Sequence, residues 1–345
     1  MNFKKIIPYG SVIILIGIFI FGIFAYLKVF TSNTTNTDIK YVLIPSDANF
    51  ETVKDSLSKY VKNMDNFIYA AEAKGYTSAI TPGRFEIKPN MNNYSLVMSL
   101  GRNVPVKVAF NNQETLEKFA ERLASQTEPT AQDYIDAFTD ENFLNEYDLT
   151  QDNVLVAFIP NTFEFYWNTS AIKVRDKLIR EYKKFWTEER KAKATALNLT
   201  PAQVSILASI VQKESAKADE RPRVAGAYLN RLKTGMPLQA DPTVIYAIKK
   251  TSGDFDQVIK RVFHNDLKIQ SPYNTYANLG LPPGPITMPD ISSIDAVLNY
   301  EKHDYIYFCA SVERFGYHDF TKDYTEHLKN AAKYSAWVEQ QNYTR

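Results

Sequence analysis

The segment IIPYGSVIILIGIFIFGIFAYL, residues 6–27, carries no charged side chain. It is as long as the ~20 residues that a helix needs to cross the hydrocarbon of a bilayer. A cleaved secretory signal has a shorter apolar run and ends in a small-x-small site, whereas this run passes through FAYLKVF without one. The expectation is an uncleaved single-pass anchor over residues 6–28, behind a cytoplasmic tail of residues 1–5. Lys4 and Lys5 stand on the short N-terminal side, so the positive-inside rule puts everything beyond about residue 28 across the membrane. An exported chain with so little cysteine suits a bacterial cytoplasmic (inner) membrane, with the body of the protein on the extracytoplasmic, periplasmic side.

At 345 residues the chain is long enough for about two domains and a proper core. Lys and Arg number 40 and Asp and Glu 39, for a formal charge of +1, and no basic block interrupts the mixture. Nucleic acid is therefore not indicated as a partner. The single cysteine, Cys309, cannot form an intrachain disulfide, and His264, His303, His318 and His327 fall in no HExxH or Cys/His pattern. No metal site and no disulfide framework are expected. Cys309 lies within YIYFCA, which reads as a buried strand with the thiol as a small core group.

Residues 29–40 read as a linker, because TSNTTNTDI is polar and patternless. Order is expected to resume at Tyr41. KYVLIP has strand composition, FETVKDSLSKYV and NMDNFIYAAEA have helical spacing, TPGRFEI is a turn and strand, and YSLVMSLGR is a short helix. Strand, helix, helix, strand within residues 41–108 resembles a LysM-like βααβ module, a unit that binds N-acetylglucosamine chains. VPVKVAF and NNQETLEKFAERLA then open a larger domain, residues 109–345. Helices are expected around TAQDYIDAFTD, SAIKVRDKLIREYKKFWTEERKAKATAL, PAQVSILASIVQKE and RPRVAGAYLNRLK. DYIYFCA and YHDF should pair around ERFG, before a final helix TKDYTEHLKNAAKYSAWVEQQ. Runs of helices with minor sheet make the fold class α+β.

Within that domain, LASIVQKESAKADERPRVAGAYLNRL places Glu214 at the end of an almost continuously apolar run. Thr200, Pro201 and Gln203 mark the helix start, with a threonine cap, proline in the first turn and a capping box. At about 100° per residue, Val204, Ile206, Leu207, Ile210 and Val211 form one arc and Ser205, Ser209, Gln212 and Lys213 the other. Glu214 falls in the apolar arc. Loss of hydration and the negative end of the helix dipole both push such a carboxyl toward its neutral form, which is what a general acid requires near neutral pH. A structural ion pair with Arg221, Arg223 or Arg231 is the alternative. Asp241 before Pro242 suits an N-cap and a substrate contact equally well. The tyrosines of YNTYANLGLPPGPI could stack on sugars or simply pack, and His318 could orient a neighbour or be satisfied within its sheet.

SIVQKES, ERPRVAGAYLNRL, MPLQADPTVIYAI and SPYNTYANLGLPPGPI, in that order over residues 207–286, resemble the signature of the MltG-type (YceG-like) endolytic murein transglycosylases. The resemblance extends upstream to IPNTFEFYW and downstream to YHDF, and it takes in the anchor and the LysM-like region. It implies Glu214 as the catalytic residue. It also implies a groove lined by Gln239, Asp241, Thr243, Tyr273, Asn274 and Tyr276. Gln212 stands where the family usually has a glutamate, and helical spacing puts it on the polar arc.

Hydrolytic glycosidases use two carboxylates, and beside Glu214 only Asp241 is a plausible second. A lytic transglycosylase avoids the need, because the C6 hydroxyl of the muramic acid attacks within its own molecule. The resemblance therefore implies cleavage of peptidoglycan strands to 1,6-anhydro ends without metal or organic cofactor, beside synthases such as penicillin-binding proteins. A hydrolytic muramidase using Asp241, or an inactive membrane-anchored glycan-binding scaffold, are the competing expectations.

Overall fold

A computed structural model describes residues 9–340, so Lys4, Lys5 and the tail of residues 1–5 lie outside the described residues. The chain divides into two units: the first runs to Val108 and takes in Gln126–Pro129 and Glu164–Ser170, and the second holds the remainder.

The first unit begins with α1 (Tyr9–Phe30), within which Ser11–Phe30 is long and apolar enough to cross a membrane. Then follow β1 (Lys40–Ile44), α2 (Phe50–Leu57), α3 (Met64–Ala73), β2 (Gly83–Ile87), α4 (Asn93–Ser99) and β3 (Val106–Phe110). The expected strand–helix–helix–strand order is present, and β1 and β2 pair antiparallel with Val42 opposite Phe85. Strand alternation turns Val42, Ile44, Phe85 and Ile87 inward onto Val53, Leu57, Phe67 and Leu96, all fully or almost fully buried. Asparagine caps start all three short helices: Asn49, Asn63 and Asn92 accept from the amides of Thr52, Asn66 and Ser95. Gly83 is required in β2, because a Cβ there would meet the Asn103 side chain at 2.4 Å.

The linker expected over residues 29–40 is not a free tether. Asn33 and Thr34 are 3% and 2% exposed. The Asn33 amide group donates to the Asn63 carbonyl at 2.7 Å and to Asn93 Oδ1 at 2.6 Å, while its oxygen accepts from Asn63 N at 2.8 Å. Polar composition signalled a loop, but asparagine side chains here substitute for backbone partners and fix it.

The second unit contains α5 (Leu116–Ala124), α6 (Ala131–Phe138), α7 (Glu141–Glu146), β4 (Asn161–Phe165), α8 (Ala171–Phe185), α9 (Glu188–Ala196) and α10 (Pro201–Glu214). It continues with α11 (Arg221–Lys233), α12 (Asp241–Ser252), α13 (Ile291–Leu298), β5 (Tyr307–Ala310), β6 (His318–Thr321) and α14 (Tyr324–Gln340). β3 and β4 both cross the division, residues 109–110 and 161–163 belonging to the second unit; they pair with each other and β5 pairs with β6, so the sheets among the described residues are all two-stranded. The class is α+β, with helices dominant.

Three expectations need correction. The run from Ser170 to Leu197 is two helices, because Trp186 turns into the core at 2% exposure and Thr187 starts afresh as N-cap, accepting from Arg190 N. The two arcs expected for α10 also fail: Ser205 and Ser209 are 1% and 0% exposed, and the whole stretch of residues 204–211 is buried where α10 packs on α11, α12 and α13. The serines fit that setting because their hydroxyls return to the helix carbonyls of Pro201 and Ile206. Cys309 is half-buried in β5 rather than a core residue, and burial still pushes its thiol up to about 11.

Candidate active site

α10 starts at the capping box of Thr200 with Gln203 and ends at Glu214, after which Ser215 turns the chain into extended conformation. This long buried helix therefore delivers one carboxyl at a fixed point. Neighbouring side chains are tied off elsewhere: Lys213 reaches Glu114 at 2.6 Å, which also holds Lys249 at 2.9 Å. Gln212 is not a solvated polar-arc residue. Its Oε1 accepts from Asp290 N at 2.6 Å and from Ser293 Oγ at 3.1 Å, which pins the start of α13.

None of the three candidate arginines pairs with Glu214. Arg221 donates to Ser215 O, Ser292 and Ser293, and Arg223 pairs with Glu301. Arg231, 6% exposed, donates from Nε to Ile306 O and from a terminal nitrogen to Leu238 O, each at 2.6 Å. The partner of Glu214 is Tyr228 of α11, whose hydroxyl donates to Oε2 at 2.7 Å. Tyr228 is fully buried, with Phe308 packed edge-on at 5.4 Å.

Glu214 retains partial access to water, yet protein closes round its carboxyl. That burial raises its pKa above the ordinary carboxylate value, and nearby Asp241 adds to the push. The Tyr228 hydrogen bond and the charges of His318 and Arg231 oppose it without cancelling it. Asp241 is also raised by crowding of its carboxyl, against a hydrogen bond from Tyr276, although its solvent exposure tempers the effect.

Asp241 is not the cap of α12. It is the first helical residue, the cap position belongs to Ala240, and Asp241 Oδ1 instead accepts the Tyr276 hydroxyl at 2.6 Å. The two loops that resemble the family groove are stitched together. Gln239 N donates to Thr275 O and Ala240 N to Thr275 Oγ1, each at 3.0 Å, and the Thr243 and Thr275 hydroxyls meet at 2.8 Å. Gln239 is exposed and left-handed at φ 51°. Gln239, Asp241 and Tyr276 remain open to solvent, whereas Thr243, Tyr273 and Asn274 are buried at 0%, 1% and 0% exposure. Asn274 holds the Leu267 and Ile269 carbonyls at 2.9 Å, and the Tyr273 hydroxyl reaches the Asp152 carboxylate at 3.2 Å. These three are packing and hydrogen-bonding groups beneath the exposed residues. Gly284 allows the approach, since a Cβ there would lie 1.8 Å from Asp152 O.

Glu220 and Tyr228 escaped sequence reasoning, and of the two roles open to His318 the structure shows a hydrogen bond to a neighbour outside its sheet. Glu220, 3% exposed, accepts from Ser215 Oγ at 2.9 Å, from His318 N at 2.7 Å and from His318 Nδ1 at 2.9 Å. Burial alone would depress the His318 pKa, but Glu220 and the field of Glu214 raise it. The imidazolium this favours faces the site from β6. Only the ERPRVAGAYLNRL and YHDF blocks signalled these residues, and a signature does not state who bonds to whom.

A cavity of about 380 Å³ lies alongside, lined by Lys213, Pro242 and Ile245, the neighbours of Glu214 and Asp241. A larger one of about 890 Å³ runs past Thr200 and Gln203 at the start of α10 and past Leu229 on α11.

Fold and site define an α+β protein that presents a desolvated glutamic acid at the end of a buried helix. The YceG-like family matches residues 42–333, and the chain belongs to that family. A Bacillus subtilis protein named endolytic murein transglycosylase is 28% identical over 337 residues, covering 92% of this chain and 90% of the relative. A Streptococcus pneumoniae protein of the same name is 26% identical over 330 residues, with 86% of this chain and 58% of the longer relative covered. The structure of a yceG-like protein from Listeria monocytogenes is similar at a TM-score of 0.56 and 27% identity, over 85% of this chain and 99% of that one.

Proposed function

We propose that the chain is a membrane-anchored endolytic lytic transglycosylase that cuts the β-1,4 bond between MurNAc and GlcNAc in peptidoglycan strands. The cut leaves 1,6-anhydro-MurNAc ends and so terminates strand elongation. One observation carries the reading: Glu214 is a carboxyl raised by burial, with one oxygen occupied by Tyr228 and no cation in an ion pair with it among the described residues. Burial favours the protonated form of such a group, which is the form a general acid needs. It gives that proton to the glycosidic oxygen as the C1–O4 bond breaks. Tyr228 and the His318 charge then favour the carboxylate, which takes the proton from the C6 hydroxyl as O6 bonds to C1. The proton returns to Glu214 and no water is consumed. Being intramolecular, the hydroxyl can act at an effective concentration on the order of 10⁵–10⁸ M.

Gln239, Asp241 and Tyr276 are the groups we assign to the glycan, with Thr243, Tyr273 and Asn274 behind them. The βααβ arrangement of the first unit supports its reading as a LysM-like glycan-binding module. Lys4 and Lys5 support a cytoplasmic N-terminus with the catalytic domain outside the cytoplasm. That placement puts the enzyme beside peptidoglycan synthases, its expected partners. The test is mass analysis of products from uncrosslinked glycan strands. Anhydro ends are expected; predominantly hydrated, reducing ends would replace this reaction by hydrolysis, with Asp241 as second carboxylate.

A further inference from the structure

We infer that the first unit is seated in the membrane interface, with α4 and the end of α3 lying against the lipid headgroups through Tyr69, Lys74, Tyr94 and Met98. The inference rests on α1 spanning the bilayer. Ser11–Phe30 is 20 residues, about 30 Å at helical rise, which matches the hydrocarbon thickness. Lys28 and Phe30 therefore mark the level at which the chain leaves the lipid.

The unit is fastened at that level and not beyond it. The Asn93 side-chain amide, fully buried, donates to Lys28 O at 2.6 Å and so ties α4 to the last turn of α1. Phe30 stacks on Tyr94 at 5.8 Å and meets Tyr26 in a tilted contact at 4.9 Å, so aromatic rings run from the membrane helix to α4. Lys28 Nζ lies 5.2 Å from the Tyr69 ring centre and Lys74 Nζ 4.5 Å from that of Tyr94. Tyr94 and Met98, one turn apart on α4, nevertheless stay 37% and 42% exposed. Tyrosines with an apolar body and a polar tip, flanked by lysines, are the composition of a membrane–water boundary. A side chain touching Phe30 has little choice of height, and the lipid surface is the partner that this height supplies.

The experiment uses the full chain in lipid vesicles, in a Cys309→Ala background with single fluorophore sites at Tyr94→Cys, Met98→Cys and Asp47→Cys. Asp47 lies past the far end of β1 and serves as reference. Quenching by headgroup-nitroxide lipid should be several-fold stronger at positions 94 and 98 than at 47. Equal quenching at the three sites, in protein that resists carbonate extraction, overturns the seat while leaving the anchor intact. Extraction by carbonate would remove the spanning helix and the seat with it, without touching the chemistry proposed for Glu214. Unsubstituted protein gives an independent reading: photoactivatable headgroup lipids should leave adducts on residues 69–74 and 94–98, and a pattern lacking them counts against the proposal.

Discussion

Glu214 is an acid with one oxygen already engaged, since Tyr228 holds Oε2. Burial raises its folded pKa. The folded state is accordingly favoured while the carboxyl is neutral. That stability is fully present below the unfolded value of about 4.3 and lost as pH rises through the folded value. Glu214→Gln has no charge to bury. It should match wild type in melting temperature near pH 4 and exceed it at pH 8, while cleavage drops by a factor on the order of 10²–10⁴ or more. Anhydro product from the folded variant would move the acid to another residue. Tyr228→Phe acts in the opposite sense to a neutralisation, because it withdraws a donor from the carboxylate. A hydrogen bond to a charged group is worth about 1.5–3 kcal/mol, or roughly one to two pH units. The upper limb of the pH–kcat/KM profile should move up by that amount, and a limb that stays in place would show that Tyr228 only fills space.

Among the elements, α11 has little room to change. Gly226 lies on it two residues before Tyr228, and a Cβ there would sit 2.5 Å from Glu301 O and 2.6 Å from His303 Nε2. Gly226→Ala should therefore cost about 1–3 kcal/mol by overpacking, read as a lower denaturation midpoint. The tie between β6 and the chain after α10 has its own pH window. Burial pushes Glu220 upward, but hydrogen bonds from His318 and Ser215 and the imidazolium charge leave it below its ordinary value, while His318 is raised. The Glu220 contribution is lost as pH falls below about 4.3 and that of His318 as pH rises past about 6.5 and through its raised value. The stability gap between wild type and His318→Gln should be widest near pH 5–6 and narrow toward pH 9. Much of this architecture was legible. Thr200, Pro201 and Gln203 announce α10, Pro222 sits in the first turn of α11, and Gly75 closes the α3 region. Contacts that depend on chain return were not legible. Tyr228 in AGAYL reads as packing until its hydroxyl is seen on a residue 14 positions earlier, and His318 meets Glu220 across 98 residues. The α8–α9 break was hidden because Trp186 and Thr187 fit a helical pattern as well as they fit a corner.

At the scale of the whole molecule, Lys4 and Lys5 before the apolar run favour an N-terminal side in the cytoplasm. A reporter active only in the cytoplasm, fused after Arg345, should be silent, and a signal from it would reverse the topology.

The enclosure of α10 bears on how the enzyme ages and fails. Val204 through Val211 are all 5% exposed or less, so no local fraying can bring these amides to solvent. Deuterium should enter them only through opening of the whole domain, at the slowest rate in the chain. Glu214 is the last residue of that same helix. Heat or denaturant has no partially loosened site to produce first, so loss of cleavage and loss of structure should follow one curve.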